Sequence, residues 1–280
     1  MPSIKALRIS VSLPNAHFRV IHSNSPCKTY PLPPYSTVIG FLANILGDKD
    51  KINQMLDETF ALGILAKHKY LTREYTWLRN LSPASHRSRF CSNTNRKWQE
   101  LPEHPGGQSP MVVEVLNQVQ VYLYLCHSNS SLLQELQQNI TAPEKWFSHL
   151  HLGRSEDWAM VESANMIDLS VSNSVEDLKE AGSYYQWMPD SKHTFGLNDK
   201  ICNEEYNELY KKIQGNAVLV TSRYELVKIS HSKGKSGEIR NFAHVPAQLC
   251  CCPVPFLNNF SLPSLLTDTQ VSTPVYMALI

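Results

Sequence analysis

Between Lys67 and Pro110 the chain sets Lys67, Lys69, Arg73, Arg79, Arg87, Arg89, Arg96 and Lys97 among Tyr70, Tyr75, Trp77, Phe90 and Trp98, against Glu74, Glu100 and Glu103. Cations neutralise phosphates and aromatic faces stack on unpaired bases, so this mixture suits single-stranded nucleic acid. A solvated hairpin with an ordinary share of arginine would carry the same residue types, and the two readings stand side by side. A second candidate is KTYPLPPYSTVIGFLANILG, Lys28 to Gly47. Pro31, Pro33 and Pro34 hold the backbone extended, and Ser36 or Thr37 offers a hydroxyl to the amides of a first helical turn. Val38, Phe41, Leu42 and Ile45 then recur at i, i+3, i+4 and i+7, and Gly47 stops the helix. A helix N-terminus held in this way presents free N–H groups to an anion, phosphate above all. Tyr35, Ser36 and Thr37 would form that pocket, with Arg19, Lys28 and Tyr30 on its rim. The plainer reading is a capped core helix without a ligand.

Metal-independent RNA cleavage needs a base for the ribose 2′-hydroxyl and a donor for the leaving oxygen. His17, His22, Tyr35 and His86 are available near these segments, but no pair stands out, and no catalytic residue is assigned. Cys250, Cys251 and Cys252 near His244 do not make a metal site, because adjacent residues of a strand point to opposite faces. His149 and His151 read as structural or surface histidines. Lys233 to Gly237, KGKSG, lacks the glycine spacing and following helix of a phosphate loop and reads as a basic hairpin tip. No cofactor and no metal are expected.

The formal charge is +1 over 280 residues, with 42% hydrophobic and 18% charged residues, which argues against a uniformly basic nucleic-acid binder but allows a local basic surface. Seven cysteines at irregular intervals, with no secretory leader ahead of them, point to a reducing, cytoplasmic setting. The longest apolar run, Val38 to Leu46, is interrupted by Gly40 and Asn44, and no membrane segment is expected.

The elements that must position these residues follow from periodicity. Leu7, Ile9, Val11 and Leu13 alternate with polar residues as a first strand, and Phe60 to Ala66 reads as a second. Met111 to Cys126, with Val113, Val115, Val119, Val121, Leu123 and Leu125 on one parity, is a third. Ser131 with Gln134 makes a capping-box pattern ahead of a helix that ends before Pro143, and Trp158 to Leu169 is a fourth strand. Strand, helix, strand, strand, helix, strand is an α+β order, the split βαβ unit of ferredoxin-like or RRM-like domains. The expected division is a domain over 1–175, with the basic and aromatic insertion at about 67–110, and a smaller β-rich part over 176–280. In the latter, Val218 to Ile229 pairs with Ile239 to Val245.

TYPLPPYSTVIGFLANILG, with FRV at Phe18 to Val20 before it and HLGRSED at His151 to Asp157 well after it, resembles the fifth family of CRISPR-associated Cas proteins. The resemblance covers mainly the first 175 residues, and Pro33 to Gly40, Pro-Pro-x-Ser-Thr-x-x-Gly, is its specific core. Members are RAMP-superfamily subunits of type I Cascade that hold the five-prime handle of the CRISPR RNA. The resemblance implies an RRM-like domain with a thumb between its second and third strands. It also implies guide RNA (crRNA), a RAMP-superfamily backbone subunit, the large subunit that examines the protospacer-adjacent motif, and target DNA through the complex. The expected RNA-binding set is Arg19, Lys28, Tyr30, Tyr35, Ser36, Thr37, Arg79, Arg87, Arg89, Phe90, Arg96, Lys97, Trp98 and, within HLGRSED, Arg154. The TYPLPP segment looks closest to subtype I-B, where a separate endonuclease cuts the precursor, so the expected role is a non-catalytic cap on the guide. The alternative is a metal-independent endoribonuclease: subtype I-C relatives cleave RNA with a Tyr, Lys and His set, which has no clear match here. A free-standing RRM-like binder is disfavoured by the helix motif.

Overall fold

The computed structural model describes residues 3–23, 25–79, 97–98, 101–102, 108–172, 184–196, 200–213, 215–230, 236–251 and 264–280. Strand β1 (Ser3–Ala16) buries Leu7, Ile9, Val11 and Leu13 on one face, as its alternation requires. A two-residue ribbon follows, β2 (Phe18–Arg19) antiparallel to β3 (Thr29–Tyr30). Helix α1 (Tyr35–Leu46) buries Val38, Phe41, Leu42 and Ile45, and Gly47 ends it in the left-handed conformation (φ 62°), donating to the Ala43 carbonyl. Its start departs from expectation. The N-cap is Pro34, with no side-chain cap, and the Pro34 carbonyl accepts from the N–H of Thr37 at 3.0 Å, so neither Ser36 nor Thr37 caps the helix. Helix α2 (Lys49–Asp57) is capped by the Asp48 carboxylate.

Strand β4 (Ala61–Lys67) leads through a short turn into β5 (Tyr70–Arg79). A small ribbon, β6 (Lys97–Trp98) with β7 (Leu101–Pro102), precedes the long β8 (Gln108–Cys126). Helix α3 (Ser130–Asn139) is capped by Asn129, whose side-chain oxygen accepts from the N–H groups of Ser131 and Leu132, and not by Ser131. A 3-10 turn (Pro143–Lys145) and the HLGRSED loop lead to β9 (Met160–Ser172). The remaining elements are β10 (Tyr185–Pro189), α4 (Lys200–Lys212), β11 (Asn216–Ser230), β12 (Ser236–Cys251), β13 (Leu265–Asp268), β14 (Thr273–Pro274) and β15 (Met277–Leu279).

One large antiparallel sheet holds most of these strands in the order β11-β12-β10-β4-β8-β1-β9-β13-β14, with β15 also on β4 and β5 on β8. The expected boundary near residue 175 is therefore not a break in the sheet. Strands from beyond it join both sides, β10 and β15 on β4 and β13 on β9.

The sheet's two faces are covered differently. Helices α1 and α3 pack on the face formed by Leu7, Ile9, Val11, Val121, Leu123 and Ile64. The other face carries Ala6, Leu65, Tyr124 and Cys126 and is closed by the C-terminal segment through Leu266, Val275 and Met277. Arg8 lies under that segment: its guanidinium pairs with Asp268 at 2.9 Å and donates to Gln270 at 2.6 Å, while the Tyr124 hydroxyl donates to the same carboxylate at 2.9 Å. Burial and the adjacent carboxylate push the Tyr124 phenol far above its ordinary range.

Candidate nucleic-acid interface

Two features of β8 create an arm. Its inner half pairs with β1 and β4, whereas its first residues run past the end of β1 (Ala16↔Leu116) and pair with β5 from Tyr70↔Asn117 to Arg79↔Gln108. Gln118 sits at the junction with a left-handed backbone, φ 51°. On β5, Leu71, Arg73, Tyr75 and Trp77 occupy alternate positions and so share one face. Tyr75 is 62% exposed and Trp77 53%, with their rings edge to face at 5.9 Å. The Arg73 guanidinium is also open to solvent, touching only the rim of the Glu114 carboxylate at 3.4 Å. Exposed aromatic faces beside a cation form a stacking surface for unpaired bases.

Those three residues belong to the basic and aromatic mixture that the sequence shows, yet the expected binding set omits them. Their alternation from Leu71 to Trp77 is the signal that identifies them. Of the expected set, Arg79 ends β5, and Lys97 and Trp98 form β6. Arg87, Arg89, Phe90 and Arg96 lie outside the described residues.

Arg19 and Lys28 are exposed on the β2–β3 ribbon, which lies against the root of the arm because Cys27 bonds to β8 in the place β1 has vacated. The Cys27 N–H donates to the Val112 carbonyl at 2.7 Å and the Cys27 carbonyl accepts from Glu114 at 2.9 Å. The structure thus brings Arg19 and Lys28 beside the arm.

The start of α1 has a different neighbourhood. The Trp187 indole donates to the Pro33 carbonyl at 2.9 Å, its ring meets Tyr30 edge-on at 5.3 Å, and Ser36 Oγ lies 2.7 Å from Thr221 Oγ1. The Pro-rich lead-in is therefore docked against β10 and β11. Tyr35 is a correction to the expected set: its side chain is fully buried and its hydroxyl lacks a partner among the described residues. Desolvation raises its phenol far above the ordinary value, so Tyr35 offers neither a stacking face nor a base. Ser36, Thr37 and Tyr30 are half-buried.

Arg154 is held inside its own loop. Its guanidinium bonds to Asp157 at 2.8 Å and reaches Glu74 of β5 and Glu156 at 3.4 Å. The buried Asp157 carboxylate also accepts the backbone N–H of Arg154 at 2.8 Å and of His17 at 2.9 Å. Gly153 (φ 118°) is required here, since a Cβ would stand 2.8 Å from that carboxylate. HLGRSED is thus a clamp that ties the loop to the end of β1 and to the arm. His17 Nδ1 bonds to the Glu114 carbonyl at 2.7 Å. Burial holds its imidazole below the ordinary 6.5 against the opposing pull of that bond, with Arg154 and Arg19 adding to the depression and Asp157 opposing it.

At the other side of the arm's root, Lys67 Nζ lies 3.2 Å from the Tyr184 hydroxyl and Tyr122 meets the Tyr184 ring at 5.8 Å. Burial raises the phenols of Tyr122 and Tyr184. Local pattern does not reveal this grouping, because Tyr184 is remote in sequence.

An α+β chain with one large antiparallel sheet, α1 and α3 on one face, α4 packed against Met188 and Cys250 of the other, and a projecting aromatic and cationic arm defines the class. The family model described as "CRISPR-associated protein (Cas_Cas5)" matches residues 6–197, and the chain belongs to that family. Among solved structures, it is similar to a chain of a "CRISPR RNA-guided surveillance complex" at 11% identity, with 91% of this chain and 95% of that chain covered and a TM-score of 0.46. It is also similar to a CRISPR protein from Archaeoglobus fulgidus at 12% identity, with 99% and 100% covered and a TM-score of 0.40. A chain of a type III-B Cmr-beta complex bound to cognate target RNA and AMPPnP is 11% identical, with 94% and 85% covered and a TM-score of 0.37. No curated protein matches. Among the described residues, no helix is long and apolar enough to cross a membrane.

Proposed function

We propose that this chain is a non-catalytic crRNA-binding subunit of a type I CRISPR effector complex, of the I-B kind, seated at the five-prime handle of the guide. In this reading the strand order β4-β8-β1-β9 is a ferredoxin-like RAMP core and the β5–β8 arm is the base of its thumb. A RAMP-superfamily backbone subunit and the large subunit flank it, and target DNA reaches it through the complex. The observation that carries the reading is the exposed Arg73, Tyr75 and Trp77 face beside Arg19 and Lys28. Bases stack on the rings while the cations meet phosphates. Membership of the family supplies the nucleic acid to which that face is matched.

The absence of a catalytic role is supported by the surroundings of the groups that would serve. Tyr35 is sealed in the core, His17 is buried with Nδ1 engaged by a carbonyl, and the Tyr122 and Tyr184 phenols hold their protons more tightly than free tyrosine. The phenols are not ready bases at neutral pH, and the His17 imidazole, whose Nε2 keeps a lone pair, is buried away from a substrate.

The test is binding of a repeat-derived RNA in EDTA. Tyr75→Ala with Trp77→Ala is expected to weaken binding by about tenfold or more, at about 1 to 3 kcal/mol per stacked base, with the RNA left intact. Unchanged affinity would sink the arm as the RNA surface. Specific cleavage lost on replacing Lys67 or His22 would promote the endoribonuclease.

A further inference from the structure

The loop between α3 and β9 leaves an open groove of about 410 Å³ whose walls include Ile140, Trp146, His149, Trp158 and Met160. Its rim is unusually apolar for a surface. Trp158 is 70% exposed and Met160 65%, and Phe147, 58% exposed, belongs to the same loop. Among the described residues no lysine, arginine, aspartate or glutamate lines the groove. Of the loop's two cations, Arg154 is neutralised by Asp157, Glu74 and Glu156, and Lys145, outside the groove walls, is tied to Asn139 Oδ1 at 3.0 Å. An aromatic groove whose walls hold neither lysine nor arginine gives a phosphate little to pair with, which disfavours nucleic acid. Tryptophan, methionine and phenylalanine at a charge-free centre are instead the composition of a protein interface core.

The adjoining strand narrows the shape of the occupant. One edge of β9 pairs with β1 from Met160 onward, whereas on the other edge β13 reaches only Ser170 to Ser172. Gln137 of α3 takes the Ala164 carbonyl at 2.8 Å, so among the described residues the outer edge of β9 without a strand partner next to the groove is Met160 to Ser163, which includes the register irregularity at Glu162. An unpaired edge beside an apolar groove is the arrangement that accepts an added strand, with backbone pairing along the edge and an alternate side chain entering the groove.

We propose that this groove docks an extended segment of a partner protein, which pairs with Met160 to Ser163 and inserts one large, uncharged apolar side chain between Trp158 and Met160. The inference rests on the reading of the chain as a complex subunit, and it places a protein contact away from the arm that meets RNA.

The test uses the complex assembled from this chain, guide RNA and the purified proteins encoded beside it, with a photoreactive phenylalanine analogue in place of Trp158. The expected result is a covalent product with one protein subunit. Trp158→Ser with Met160→Ser should then weaken pairwise binding to that subunit at least tenfold while leaving the melting temperature and the RNA affinity of the isolated chain within twofold of the parent. Crosslinking to RNA would overturn the proposal in favour of a base-binding groove. No crosslink, or pairwise binding unaffected by the double substitution, would overturn it outright. Tyr75→Ala with Trp77→Ala separates the two readings: RNA binding that survives this change alongside a persistent protein crosslink removes the arm from the RNA surface and leaves the groove proposal standing.

Discussion

Two ribbons project from the same sheet, and they are built for different neighbours. The β5–β8 arm presents Arg73, Tyr75 and Trp77 on one face, with Arg19 and Lys28 at its root. The β11–β12 ribbon beyond the irregularity at Thr221/Tyr224 exposes aliphatics instead, Leu226 on one face and Val227 with Ile239 on the other. Among its described residues the charges are balanced, Glu225 and Glu238 against Lys228 and Arg240, and the Arg240 guanidinium is folded over the Tyr224 ring at 4.8 Å. The roots differ too. The first arm is held by ionisable groups, His17, Asp157 and Arg154, whereas Arg223 fastens the second to the backbone carbonyls of Glu58 and Ile280 at 2.7 and 2.8 Å. A two-stranded extension has one architecture; which ligand it suits is decided by the side chains on its faces and its sensitivity to conditions by its root.

The largest effect that would sharpen this contrast is at the first root. Asp157→Ala removes the acceptor of two backbone N–H groups and leaves Arg154 only its longer contacts to Glu74 and Glu156, and should cost about 2 to 5 kcal/mol in a denaturant titration, at about 1 to 3 kcal/mol per unsatisfied buried donor. A cost below 1 kcal/mol would show that the clamp does not hold the arm. An intermediate effect separates the faces. Arg73→Ala, Arg19→Ala and Lys28→Ala should each flatten the plot of log affinity for single-stranded RNA against log salt by about 0.7, while Lys228→Ala and Arg240→Ala leave it unchanged. A flatter slope in the second pair would erase the distinction between the ribbons.

The smallest effect is on pH. His17 is neutral in the fold, with its imidazole held below 6.5 by burial, so the unfolded chain takes up the proton first as pH falls. Its contribution is fully present above 6.5 and is lost as pH drops through that value toward the depressed folded one. His68 and His151 are lowered in the same direction by burial. The melting temperature should therefore decline from pH 7.5 to 5.5, and His17→Gln should make that decline shallower whatever it does to stability at pH 7.5. An unaltered slope would remove His17 from the acid response. Arg223→Ala, at the second root, should leave the slope as it is.

The features readable in the sequence were those that a local pattern specifies. Alternation located β1 and β8 to within a few residues, an apolar run located β4, the stretch from Trp158 to Leu169 located β9, and the i, i+3, i+4 and i+7 spacing with Gly47 located α1. The errors trace to distant partners. Ser36 looks like a cap, but its hydroxyl meets Thr221, 185 residues away, and the Pro34 carbonyl serves the first turn. Tyr35 looks like a pocket residue because nothing nearby in sequence covers it; in the fold it is sealed in the core that also holds Trp187, Val220 and Ala247. Arg154 reads as a free cation beside Asp157, yet Glu74, from a strand 80 residues earlier, completes its neutralisation. The groove at Trp158 depends on how a loop folds back on a strand edge, which spacing does not encode.

The pair formed by Arg8 and Asp268 also sets an order in time. The two residues are 260 apart in the chain, and one belongs to the central strand while the other closes its second face. During synthesis Arg8 is made 260 residues before its carboxylate. Until then the central strands carry a bare guanidinium on a surface that is buried in the finished molecule, and water must go on solvating it. The sheet therefore cannot reach its final state until Asp268 has been made, and translation that stops short of Asp268 yields a product with a charge that its fold has no means to bury.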